Sequence, residues 1–279
     1  MGNHYVPQKY LLRFSEEDRG IWVYDREKAT NFRTGVRKIA HEINMYSPEV
    51  ESNLNEQVEI PTHEVFDKIV AQRQLSDADR KALAKYIVVM WKRVPTGRER
   101  AMTRLPNVAD EVHDDLMKEL DGLIMADPSF RARGEKVRSE AKTIIANVKA
   151  SPSPSLWYES FNLTDESGVE QALLSMNWVF LHSAKVQYLT SDNPVFFFAH
   201  EGIGSSSSEL TFPISESIAL WATRHPRQNG LHAPALPAGV KQINRRTASN
   251  SKRFVFAKTN ESWIMPFVTK AKWELSRLG

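Results

Sequence analysis

The chain contains no cysteine. That absence excludes disulfides, thiolate metal sites and a cysteine nucleophile together, and it suits a reducing compartment. No apolar run approaches the roughly 20 residues of a membrane-spanning helix. The start lacks the charged-then-apolar pattern of a secretory signal, and Val6 stands where N-myristoylation of Gly2 calls for Ser or Thr. A cytoplasmic protein with no membrane partner is therefore expected. Familiar catalytic signatures are also missing: there is no phosphate-binding Gly-rich loop, no dinucleotide fingerprint, no His-Glu-x-x-His and no Gly-x-Ser-x-Gly. His225 and His232 lie seven apart in a proline-rich stretch, a poor spacing for a metal pair. Nucleotide-cofactor enzymes and ordinary hydrolases lose ground accordingly.

One absence is local. No carboxylate occurs between Glu216 and Glu261, yet Arg224, Arg227, Lys241, Arg245, Arg246, Lys252, Arg253 and Lys258 all fall there. Acid gathers instead at Asp110, Glu111, Asp114, Asp115, Glu119 and Asp121, so a net charge of only +3 conceals an uneven distribution. Segment 217–260 is a candidate nucleic-acid face through phosphate attraction and counterion release. Equally, it is a surface whose charges pair within the chain.

What is present suffices for a substantial core: 279 residues, 41% of them apolar, with seven Trp, seven Tyr and thirteen Phe. A single domain over 1–279 is expected, with Ser151-Pro152-Ser153-Pro154-Ser155 as a possible internal boundary. Ile21 to Asp25 and Asn31 to Thr34 read as a hairpin, and Ile43 to Tyr46 as a further strand. Glu49 to Val70 reads as two helical pieces divided at Pro61. Ser76 with Asp79 forms a capping-box start, and Leu83, Ile87, Trp91 and Val94 then recur on one helical face. Charged helices follow over Asn107 to Met125 and Ser129 to Lys149, each bounded by proline, and another starts near Thr164. Beyond it come short aromatic strands at 178–181, 186–189, 195–198, 209–213 and 218–222, a loop over 224–239, a helix at 240–250 and a strand at 253–256. The expected class is α+β, a mixed or antiparallel sheet built from N-terminal and C-terminal strands around a helical middle.

The opening run Asn3-His4-Tyr5-Val6-Pro7-Gln8-Lys9-Tyr10-Leu11-Leu12-Arg13-Phe14 is too dense in rings and hydrogen-bonding groups for a loose terminus. With Trp22-Val23-Tyr24-Asp25, Arg93-Val94-Pro95, Thr190-Ser191-Asp192-Asn193-Pro194-Val195, Pro213-Ile214-Ser215 and Ile243-Asn244-Arg245 followed by Arg253-Phe254-Val255, it resembles the domain of unknown function 4238 family, found mainly in bacteria. That resemblance implies no activity. It does imply two helical glutamates after the first strands; Glu51 and Glu59 are the nearest matches, one residue further apart than the family's spacing.

Candidate chemistry follows from residue types. His4 is suited to metal ligation or general-base work, with Asn3, Tyr5 and Gln8 as neighbouring binding groups; alternatively it is a structural histidine. Asp192 and Asn193 present a carboxylate and an amide at the end of a strand, or simply form an Asx turn. Glu51, Glu56 and Glu59 offer oxygen ligands for magnesium or manganese, or a solvated helix surface. Arg93, Arg98, Arg100 and Arg104 suit phosphate or a helix end, and Arg245 joins them from the last block. Two functions are therefore expected. One is a metal-dependent nuclease or other phosphoesterase, with His4, Glu51, Glu59 and Asp192 catalytic, His4, Asp192 and Glu59 on the metal, and segment 217–260 steering nucleic acid. The other is a non-catalytic binding or regulatory module, such as a component of a bacterial defence system, in which these residues only build the fold.

Overall fold

The structure, a computed structural model, describes residues 2–161, 163–164, 166–198, 202–225, 230–270 and 272–278. Contacts divide the chain into two units, 1–94 with 162–279, and 95–161.

The first unit is α+β, and strands from both ends of the chain share one sheet. Thr30–Gly35, Gly20–Asp25, Phe254–Ala257 and Thr190–Ser191 lie side by side, antiparallel throughout. A second sheet runs His232–Pro234, Asn177–His182, Ile218–Thr223, Glu209–Pro213, Phe196–Phe197, and only its first pair is parallel. The middle strand Ile218–Thr223 is buried at every position, because both of its faces are covered. A third, two-stranded ribbon pairs Gly2–His4 with His41–Ile43.

Local sequence explains most of the helices. In Asp77–Arg93, the Ser76 hydroxyl accepts from the Asp79 N–H at 3.2 Å and the Asp79 carboxylate accepts from the Ser76 N–H at 2.9 Å. This helix is buried on more than the expected face. Every residue from Tyr86 to Met90 is inaccessible, so elements pack around it on all sides. In Pro237–Asn250, the proline fits the first turn.

Several sequence expectations are corrected by hydrogen bonding. Tyr188 and Leu189 are buried but form no strand: the Leu189 N–H goes to the Asn244 side chain at 2.9 Å, and pairing begins only at Thr190. The strand foreseen at 43–46 is instead His41–Ile43, ended by the left-handed Asn44 (φ 55°). Pro48 to Val70 is one uninterrupted helical run, in which Asn55–Glu59 forms a π turn directly ahead of Pro61. A proline ring presses on the carbonyl four residues earlier, and a widened turn relieves that contact.

The second unit is helical. Pro95–Ala126 and Arg131–Ala150 form a hairpin, and Gly134 allows Ile124 to approach so closely that an added Cβ would lie 2.8 Å from it. The first helix begins at Pro95 and runs through Pro106, rather than starting after it. Segment 151–155 lies within this unit, leading into the short helix Ser155–Glu159.

Candidate functional site

The opening motif is tied down from several directions. The Tyr5 N–H donates to the Ala40 carbonyl at 3.0 Å. The buried Tyr10 hydroxyl meets the Thr190 hydroxyl at 2.7 Å and donates to the Pro213 carbonyl at 2.9 Å. Pro7, extended at φ −55° and ψ 137°, starts the turn Gln8–Leu11 and so brings Gln8 back toward His4. The Gln8 amide reaches His4 Nδ1 at 3.3 Å, while His4 Nε2 faces the Arg37 carbonyl at 3.3 Å. A proton on Nε2 satisfies both contacts. Burial lowers the His4 pKa below the usual imidazole value, against the pull of the Arg37 carbonyl, so the ring is neutral at pH 7.

Behind the ring lies a buried arginine. Arg93, the last residue of its helix, donates to Glu59 Oε1 at 2.7 Å, to the His4 carbonyl at 2.6 Å and to the Tyr46 hydroxyl at 2.9 Å. Burial works against the cation, but Tyr46 and Glu59 outweigh it and hold its proton more firmly. Burial likewise pushes the Tyr46 phenol up to about 12. Asn3 completes the scaffold. Its carbonyl oxygen accepts from the Met45 N–H at 3.0 Å, and its amide donates to Glu51 at 3.3 Å.

The π turn explains how two glutamates eight positions apart serve one site. In a regular α-helix they would be rotated by about 80°; a turn carrying an extra residue takes that offset back. The additional residue between Glu51 and Glu59 is thereby absorbed, and both line the same opening.

That opening is a cleft of about 640 Å³ whose lining includes His4, Gln8, Glu51, Asn55, Glu59 and Arg93, together with Asn3, Tyr46 and Lys9. It unites most of the sequence-derived candidates from the opening motif, the π-interrupted helix and the central helix. Asp192 and Asn193 are not among its walls. The Asp192 carboxylate accepts from the N–H groups of Lys252, Arg253 and Phe254 at 2.8, 2.7 and 2.8 Å, and burial raises its pKa against those donors. Asn193 and Asn250 exchange amide-to-carbonyl bonds at 2.9 and 2.8 Å. The turn is therefore not an Asx turn: its local bond is the Asn193 N–H to the Ser191 hydroxyl at 3.2 Å, and Asp192 instead clamps the entry of strand Phe254–Ala257. Tyr5 is buried, and its phenol is raised first by burial and then by the Asp192 charge. Arg98 belongs to the helical unit, where it sits 5.7 Å over Trp157. Arg245 bonds Gln242 at 3.1 Å.

No three His, Asp or Glu side chains among the described residues are grouped to hold a metal ion. Glu51, Glu59 and the Asn55 amide are the oxygen donors at hand, a set that binds magnesium or manganese only with help from water or a substrate phosphate.

The carboxylate-poor segment spends much of its charge internally. Arg246 pairs with Glu209 at 2.6 Å, both fully buried; Arg253 pairs with Asp25 at 2.6 Å and Lys258 with Glu216 at 2.8 Å. Arg227 lies outside the described residues. Sequence reasoning missed Tyr46, Asn55 and Lys9 as site residues. Of these only Lys9 carried a signal, its place inside the opening motif.

No curated protein and no solved structure matches the chain. A family model does, over residues 3–261, a span that takes in the opening motif, both cleft glutamates, Arg93 and the Asp192 turn. The chain belongs to the family described as Protein of unknown function (DUF4238).

Proposed function

We propose that the cleft hydrolyses a phosphate ester, as a nuclease or related phosphoesterase. Its main support is convergence: a neutral imidazole, two carboxylates and a buried guanidinium, drawn from distant segments, face one opening. Water attacks phosphorus as His4 Nδ1 takes its proton in place of the long Gln8 contact; the ester oxygen departs and is protonated from solvent or Lys9. Arg93 fixes Glu59 and the His4 backbone, so the base and the carboxylate keep their spacing. Glu51 and Glu59 would be the protein ligands of a divalent cation, with water or the substrate phosphate completing its shell, and the chemistry it would supply is neutralisation of phosphate charge. The test is turnover of labelled DNA, RNA and bis(p-nitrophenyl) phosphate with magnesium or manganese. Loss in His4→Asn and Glu51→Gln with unchanged thermal unfolding supports the proposal; no turnover by the parent protein on any of them overturns it.

One observation favours the second function, a non-catalytic binding or regulatory module in bacterial defence. Both His4 nitrogens, Glu59 and Asn3 already have partners within the protein. Ligand binding with no turnover distinguishes it.

A further inference from the structure

A second groove, of about 570 Å³, adjoins the cleft and shares Gln8 and Lys9 with it. Its cationic walls are Lys9, Arg19, Arg37 and Lys38, all exposed. Asp18 is the carboxylate among its lining residues, and both its oxygens are taken by Arg33 at 2.5 and 2.6 Å. Arg19, Arg37 and Lys38 form no ion pair among the described residues, in contrast to Arg246, Arg253 and Lys258 of segment 217–260. The groove is also coupled to the site, since the Arg37 carbonyl holds His4 Nε2.

Three cations without an ion partner among the described residues, Arg19, Arg37 and Lys38, line one groove together with Lys9, whose ammonium reaches His63 Nδ1 at 3.3 Å. Their combined charge beside a neutral imidazole suits a phosphate backbone. We infer that this groove is the track of a single-stranded nucleic acid, which it passes to the cleft; the inference rests on the phosphoesterase reading of that cleft. No aromatic ring lines the groove. Recognition is therefore by phosphate rather than by base stacking, independent of sequence and strongly salt-dependent. A single strand is favoured because His4 is half-buried in a cleft of about 640 Å³, which an extended strand can enter by bending and a stiff duplex cannot.

The experiment is fluorescence anisotropy of labelled oligo-dT, oligo-U and a duplex against the full chain, as a function of salt. Three or four phosphate contacts give a slope of log K against log salt of about −2 to −3. The variant Arg19→Glu/Arg37→Glu/Lys38→Glu, all at exposed side chains, should bind at least ~10-fold more weakly with a flattened slope, while Lys241→Glu, exposed in segment 217–260, should keep its affinity. Circular dichroism checks that each variant folds. Unchanged binding in the triple variant, loss confined to Lys241→Glu, or a duplex bound as tightly as the single strands overturns the inference. Turnover of bis(p-nitrophenyl) phosphate without oligonucleotide binding sinks the track and spares the cleft; salt-dependent binding lost in the triple variant, without turnover, does the reverse.

Discussion

Arg93 donates to the main-chain carbonyl of His4 at 2.6 Å across 89 positions of sequence. The same guanidinium holds Glu59 at 2.7 Å and is almost wholly buried, so one side chain joins the opening motif to the helix that carries the cleft carboxylates. Breaking one partner of a buried pair costs about 3–5 kcal/mol, because the other charge is left unpaired in a poor solvent. Arg93→Ala should lose stability of that order in urea unfolding. Arg93→Met/Glu59→Gln, which removes both charges, should be more stable than Arg93→Met alone; a double variant no better than the single would show that the pair is not the source.

His4 sets the pH dependence. Its folded pKa lies below the unfolded value of about 6.5, so the neutral ring contributes stability above that value, and the contribution is lost as pH falls through the lower, folded one. Hydrolysis should rise with pH to a plateau already reached at neutrality, with an apparent pKa under about 6.5. NMR titration of the ring proton, assigned with His4→Asn, measures the same value. A plateau reached only well above neutrality would remove His4 as the base.

Asp192 should matter to folding rather than to chemistry. Removing its carboxylate orphans three backbone N–H groups, at about 1–3 kcal/mol for each donor left buried and unpaired. Asp192→Ala should therefore unfold at markedly lower temperature, with activity per folded molecule retained below the transition. Activity lost in a protein that is still folded would return Asp192 to the catalytic set.

The capping box gives a smaller, cleaner effect. Ser76→Ala should cost about 1 kcal/mol, read as a shift in the urea midpoint. Asp79 also binds Lys68 at 2.7 Å, and the Lys68 ammonium holds its carboxyl below the usual range. Its contribution is complete above the unfolded value near ~3.9 and disappears as pH falls toward the folded one. The stability difference between the parent protein and Asp79→Ala should then narrow in acid and hold steady from pH ~5 upward.

The elements legible in the sequence were those with local causes. Ser76 and Asp79 announced a helix start because their bonds span three residues, and the hairpin of Ile21 to Asp25 with Asn31 to Thr34 showed in adjacent strand patterns. Tyr188 and Leu189 looked like strand by composition, but a distant side chain, Asn244, took the N–H that a neighbouring strand would have used. Pro61 looked like a helix break; the π turn before it instead let the helix continue.

The candidate site divides in the same way. His4, Glu51, Glu59 and Arg93 could be named from motif and residue type, as could Asp192, which has the same chemistry. Nothing local separates an acid that faces an open cleft from one that caps a strand. The amino-acid sequence by itself determined the α+β class, the capped helix start at Ser76, the hairpin and membership of the family, because short-range bonding and hydrophobic periodicity are written within a few residues. Only the tertiary structure decided which charges meet solvent: Arg246, Asp192 and Glu59 are engaged by partners far along the chain, while Arg37 and Glu51 line open grooves with no ion pair among the described residues. A charge acts on a ligand only when nothing within the protein has already neutralised it, and that depends on contacts between segments distant in sequence.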